Sequence, residues 1–269
     1  MLGNPGMYRL HPALFMAPWT LTSIYDTAPL RQTLTELVDP EVLNDEQPRV
    51  IVGATNVGTG EMEYFDGRRP GGLTFDHVVA SGSLPPGFPM TAIGEQRYWD
   101  GGLFSNLPLS PAINALEEAA HDDPAVVREL IVVELFPMHA PIPRNLPDVL
   151  DRMVRLQYTS RLTLDEKLFD RINGLVDLIA QVDRELPPDS PLKRNQTYRS
   201  LLTHRKINSP PSVVTSTLPA DLSNPSDFSR STIDARIKRG YEDARKQGIG
   251  SVNSPGLRPG TTDGGGQAR

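Results

Sequence analysis

The 269-residue chain contains no cysteine, which excludes a disulfide scaffold and a thiolate metal site. No apolar run approaches the roughly 18 residues that a membrane span needs. An excess of basic residues is missing too. The net charge of −6 and a pI near 5.4 argue against a dedicated nucleic-acid binder. Hydrophobic residues make up 38%, a low share for a uniformly folded globule of this length. The opening MLGNPGMYRLHPALFMAPW lacks the positive-then-apolar pattern of a secretory leader and reads like the interior of a longer chain.

What is present is uneven. There are 22 glycines and 26 prolines, many of them in the first 20 and last 22 residues. The remainder is long enough for one domain with an appended segment. TAPLRQTLTELVD predicts a helix with Thr27 as N-cap and Leu30, Leu34 and Leu37 on one face. RVIVGATNV and EMEYFD predict a hairpin around Gly58-Thr59-Gly60. LTFDHVVASGS predicts a short helix, packed by Phe75, Val78 and Val79, that runs into the constrained LPPGFP turn. MTAIGEQRYWDGG predicts a second hairpin with Gly94 at its tip, and Pro108 and Pro111 open a helix through Ala112–Ala119. LIVVELF, Leu130 to Phe136, is nearly continuously apolar and predicts a parallel strand buried on both faces.

Beyond Asp148 the period becomes helical. A helix is expected from Val149 to about Tyr158. Another carries Leu168, Phe169, Ile172, Leu175, Val176, Ile179, Val182 and Leu186. The plain expectation is that this apolar face packs on the sheet. Residues 197–207 suggest a further helix and VVTSTLP a short strand. DFSRSTIDARIKRGYEDARKQG ends the ordered part as a helix capped by Gly248.

The segment VASGSLPPGFPMTAIGEQRYWDGGLFSNLPL, Val79 to Leu109, resembles the third signature block of the patatin-like phospholipases. It has an A-S-x-x-x-P-x-x-F-P stretch, a short hairpin, then D-G-G and N-x-P in the family's order. The flanking SIYDTAPLRQTL and VGATNVGTGEMEYF resemble the elements that precede this block in bacterial members. NPSDFSRSTIDARIKRGYEDA resembles the C-terminal helical extension of one bacterial subgroup. The resemblance implies an α/β fold, an incomplete patatin-like three-layer α/β/α sandwich with a helical C-terminal extension. It divides the chain into an irregular opening (1–22), the C-terminal part of a catalytic domain (23–137), a mostly helical extension (147–250) and a disordered tail (251–269).

It also implies a Ser–Asp dyad acting on a lipid ester. The Ser attacks the carbonyl, and the Asp takes its proton directly with no intervening histidine. Asp100 fits the base by position, with Gly101, Gly102 and Asn106 as its motif partners. On the tripeptide alone, Asp-Gly-Gly is a common turn; the surrounding block gives it its meaning. The glycines after Asp100 are expected to let the backbone turn tightly and approach a neighbouring loop.

The nucleophile is not among these residues. No Ser has Gly at both −2 and +2, so the strained G-x-S-x-G turn is absent. A Gly-rich oxyanion loop near the first strand is absent as well. The closing Asp263-Gly264-Gly265-Gly266-Gln267-Ala268-Arg269 resembles such a loop, but no helix follows to aim its amides. Ser81 and Ser83 are the candidate replacement nucleophiles, although the proline-rich turn after them suits a shaping role better. Glu134, inside an apolar strand, needs a hydrogen-bond partner. His11, His77, His121, His139 and His204 are scattered, and nothing indicates a metal or an organic cofactor.

Three functions remain open. The chain is part of a patatin-like lipid acyl hydrolase and is inactive without its Ser-bearing portion. It is a non-catalytic module for a lipid surface or partner, with Arg152, Arg155, Arg161, Lys167 and Arg171 meeting anionic head groups. Or it is one chain of a split enzyme whose partner covers the exposed sheet edge. Each reading expects a cytoplasmic protein that meets acyl lipid or a membrane surface peripherally and binds no nucleic acid. The isolated chain is expected to be marginally stable, to aggregate or to bind a partner.

Overall fold

The computed structural model describes residues 4–45, 48–104, 108–119, 128–136, 139–158, 166–207, 212–215 and 227–249. The chain opens with β1 (Arg9–Leu10), two 3-10 turns, and β2 (Tyr25–Asp26), which pairs antiparallel with β1. Helix α1 (Ala28–Leu37) follows. Thr27 holds the N-cap position, but its side chain makes no capping bond. Asp26 Oδ1 accepts from the Ala28 amide at 2.9 Å instead, one residue earlier than the sequence suggests. That amide, with help from Arg9, holds the Asp26 carboxyl below the usual carboxylate range against the opposing effect of burial.

The centre of the molecule is a four-stranded antiparallel sheet in the order β4-β3-β6-β5. Strands β3 (Ile51–Asn56) and β4 (Met62–Asp66) form the first expected hairpin. Asn56 shapes its turn, accepting at Oδ1 from the Gly58 and Thr59 amides, and Gly60 supplies a φ of 75° that other residues resist. Helix α2 (Phe75–Ser81) begins at a reciprocal capping box between Thr74 and His77. Strands β5 (Thr91–Ile93) and β6 (Gln96–Asp100) form the second hairpin, with Gly94 at φ 58°.

Alternation along β3 and β6 puts Ala54, Asn56, Tyr98 and Asp100 on one face. Helix α2 covers that face, and Ala54, Ala80 and Tyr98 form a fully buried cluster with Phe65 and Ile93 against it. Val79, 2% exposed, contributes about 2 kcal/mol of burial. At the far end of the sheet, Arg49 bridges Asp66 and Glu118, tying the hairpin to α3 (Leu109–Glu118).

Strand β7 (Ile131–Glu134) pairs in parallel with β8 (Ser212–Thr215), as a parallel strand should, but in a separate two-stranded sheet. It is not buried on both faces. Val132 is buried, while Ile131 and Val133 are 39% and 56% exposed, because no described layer covers their side. Between these strands lie α4 (Leu146–Tyr158), α5 (Glu166–Glu185), α6 (Pro191–Arg194) and α7 (Gln196–Leu201). The helix expected at 197–207 ends at Leu201 and is divided from α6 at Asn195, whose side chain caps α7 by accepting from the Tyr198 amide. Helix α8 (Arg230–Lys246) closes the described chain, with Gly248 after it at φ 78°. The tail 251–269 lies outside the described residues. No described helix is long and apolar enough to cross a membrane.

Candidate active site

Asp100 is the last residue of β6, and the chain turns there into a 3-10 turn over Gly101–Leu103. Its backbone is held from both sides. Ala54 pairs with it across the ladder, and the Thr55 hydroxyl donates to its carbonyl at 3.1 Å. Its own amide donates to the Ser83 carbonyl at 3.0 Å, linking it to the end of α2. The side chain is then aimed by the Gly102 amide, which donates to Oδ1 at 2.7 Å.

Gly101 is fully buried, and its role is room. A Cβ at this position would sit 2.6 Å from the Gly53 carbonyl oxygen on β3. The close approach of the Asp-Gly-Gly turn is therefore to a strand and not to the loop expected, and it needs the absence of a side chain, not a left-handed backbone. Asn106, the other motif residue, lies outside the described residues.

Burial raises the Asp100 carboxyl above its ordinary range, and the Gly102 hydrogen bond only partly offsets this. Among the described residues no ion pair involves Asp100, and no histidine bonds to it. A carboxylate desolvated in this way, without a cation to hold it ionised, is a better proton acceptor than one on the surface.

The other candidates separate cleanly. Ser83 is 1% exposed; its hydroxyl donates to the Val79 carbonyl at 2.8 Å and meets the Thr91 hydroxyl at 2.8 Å. It is a clamp between α2 and β5 and presents no accessible oxygen. Glu134 accepts from the Thr215 hydroxyl across β7–β8 at 3.1 Å. His11 accepts from the Ala13 amide, His77 caps α2, and His204 pairs with Glu117. Among the described residues no group of three or more His, Asp or Glu side chains could hold a metal ion.

Sequence reading missed two features. The buried Thr55 hydroxyl and the Ser83 carbonyl fix Asp100 through its backbone, and the Ser83 hydroxyl is itself held by Val79 and Thr91. Trp99, next to Asp100 on the other face of β6, has a buried indole N–H with no acceptor among the described residues. A strand of alternating pattern that ends in Trp-Asp carries no signal for either.

Comparison with known proteins bears on this site. Residues 5–113 match the family model "Patatin-like phospholipase". That stretch is similar to patatin-like phospholipases. The cGAMP-activated phospholipase of Pseudomonas aeruginosa (strain BWHPSA011 / Pa011) is 30% identical over 107 residues, 37% of this chain and 32% of that protein. The chain thus spans about a third of that relative's length, and its mixed α/β architecture agrees with a patatin-like α/β fold. The patatin-like region contains Asp100, its glycines and the whole four-stranded sheet.

Proposed function

We propose that the protein is a lipid acyl hydrolase in which Asp100 is the general base of a Ser–Asp dyad, with the nucleophilic Ser supplied from outside these 269 residues. One observation carries the reading. Asp100 ends a strand inside the region matched by the family model, half-buried, aimed by the Gly102 amide and facing no cation among the described residues. In the reaction the Ser hydroxyl gives its proton to Asp100 as its oxygen adds to the ester carbonyl of an acyl lipid at a membrane surface. The alkoxide leaving group then takes that proton, and water releases the fatty acid from the acyl-enzyme by the same base.

The test is phospholipid vesicle hydrolysis by the coding unit that carries a G-x-S-x-G turn ahead of residue 5, beside the 269 residues alone. The account expects release of fatty acid only with the Ser present, and loss of about 10³-fold when Asp100 is replaced by Asn. Undiminished hydrolysis by the Asp100→Asn variant would sink it. The missing G-x-S-x-G favours one competing reading, a non-catalytic lipid- or partner-binding module. A coding unit without that turn, in which the chain binds vesicles but cleaves nothing, would establish that reading instead.

A further inference from the structure

Helix α5 is mounted with its polar flank inward. The Asn173 side chain donates to the Ile207 carbonyl at 2.7 Å and accepts from the Ile207 amide at 3.1 Å. Lys206 reaches Asp177 at 2.6 Å, and the Tyr198 hydroxyl donates to Asp183 at 3.3 Å. Apolar side chains of the helix are left outward among its charged ones. Ile172, Leu175 and Leu178 are 48%, 57% and 54% exposed, so the face does not pack on the sheet.

Within this face Ile172, Leu175, Ile179, Val182 and Leu186 alternate steps of three and four, the spacing of a two-stranded coiled-coil seam, with Val176 and Leu178 beside it. Ile172 and Leu175 are exposed, and Ile179, Val182 and Leu186 are half-buried. Of the charged residues, Arg171 and Glu185 flank this row, one of each sign, while Asp177 and Arg184 lie on the opposite side of the helix. The two flanking charges are self-complementary. Arg171 and Glu185 lie on the same flank, equally far on either side of Leu178.

We infer that this seam binds a second copy of the chain, α5 against α5 in antiparallel orientation about a two-fold axis near Leu178. Leu175 then packs on Ile179 of the second copy, and Ile172 on its Val182. Arg171 meets Glu185 of the second copy at both ends, the isologous pattern a two-fold requires. A parallel pairing would set Arg171 beside Val176 and Leu178 beside Asp183, leaving the flanking charges without partners. The seam spans a 20-residue helix, so the dimer is weak and concentration-dependent.

Sedimentation equilibrium on the 269-residue chain tests this from micromolar concentration upward. A monomer–dimer equilibrium is expected, and Leu175→Lys, at an exposed site that leaves the fold intact by circular dichroism, abolishes it. Arg171→Glu and Glu185→Arg each weaken the dimer by roughly 10-fold, because two attractive pairs become two repulsive ones. The double exchange R171E/E185R restores the original dissociation constant. A monomer at every concentration, a dimer indifferent to Leu175→Lys, or a double exchange no tighter than the single variants overturns the inference. So does anionic-vesicle binding that Leu175→Lys removes in the absence of any dimer.

Discussion

The sheet region from β3 to the turn after β6 and the helical region from α4 to α7 use the same ingredients and end differently. Both alternate apolar and polar residues at the period of their secondary structure. Around Asp100 the apolar face is closed: α2 lies on Ala54 and Tyr98, and the hydroxyls of Thr55, Ser83 and Thr91 are buried and partnered. In α4 and α5 the pattern is as regular, yet Leu146, Met153, Leu175 and Leu178 are more than half exposed. Periodicity predicts which face is apolar, but only tertiary structure decides whether that face is covered within the chain or left for something else.

Several substitutions press on this contrast, and the largest effect belongs to Asp100. In the Ser-bearing protein, Asp100→Asn removes about three orders of magnitude of ester hydrolysis, read as kcat on vesicles, while the melting temperature does not fall. Gly101→Ala comes next. Its Cβ meets the backbone of β3, which cannot yield, and the variant loses about 2–4 kcal/mol in urea unfolding. A loss under about 0.5 kcal/mol would mean that the strand can move aside. Ser83→Ala is smaller, about 1–2 kcal/mol, since it leaves the buried Thr91 hydroxyl short of a partner.

The smallest effect is one of pH, and its sign distinguishes two carboxylates of the same region. Burial raises the folded-state pKa of Asp100, so folding is unpenalised below the ordinary carboxylate pKa and loses stability as pH rises through the interval up to the raised value. The stability gained by Asp100→Asn therefore grows from acid to neutral pH. Asp66 behaves oppositely. Its hydrogen bonds from Arg49 lower its pKa, so its contribution is present above the ordinary carboxylate pKa and is lost as pH falls through the depressed one. The cost of Asp66→Asn is accordingly largest at neutral pH and fades in acid. Denaturation midpoints of both variants across that range would show curves of opposite slope; parallel curves would contradict the assignment.

Much of the fold near the site was legible because its signals are local. Gly60 and Gly94 mark two hairpins, the apolar spacing of Phe75, Val78 and Val79 marks α2, and the D-G-G after an alternating strand locates Asp100. Features that depend on distant partners were not legible. The exposure of Ile131 and Val133 depends on whether another element lies over them, none does among the described residues, and composition alone cannot reveal it. Asp26 caps α1 in place of Thr27 because Arg9, on a paired strand, helps to fix its carboxylate. The need for glycine at 101 was readable as a close approach, whereas the identity of the approached backbone, Gly53, comes only from the register of β3 with β6.

Fluorophosphonate labelling of the Ser-bearing protein, compared between the native chain and its Asp100→Asn variant, tests the central claim most directly. Loss of labelling together with loss of vesicle hydrolysis, in a variant that unfolds at an unchanged or higher temperature, is the result this account predicts. A variant whose serine reacts at the native rate would contradict it and remove Asp100 from the chemistry.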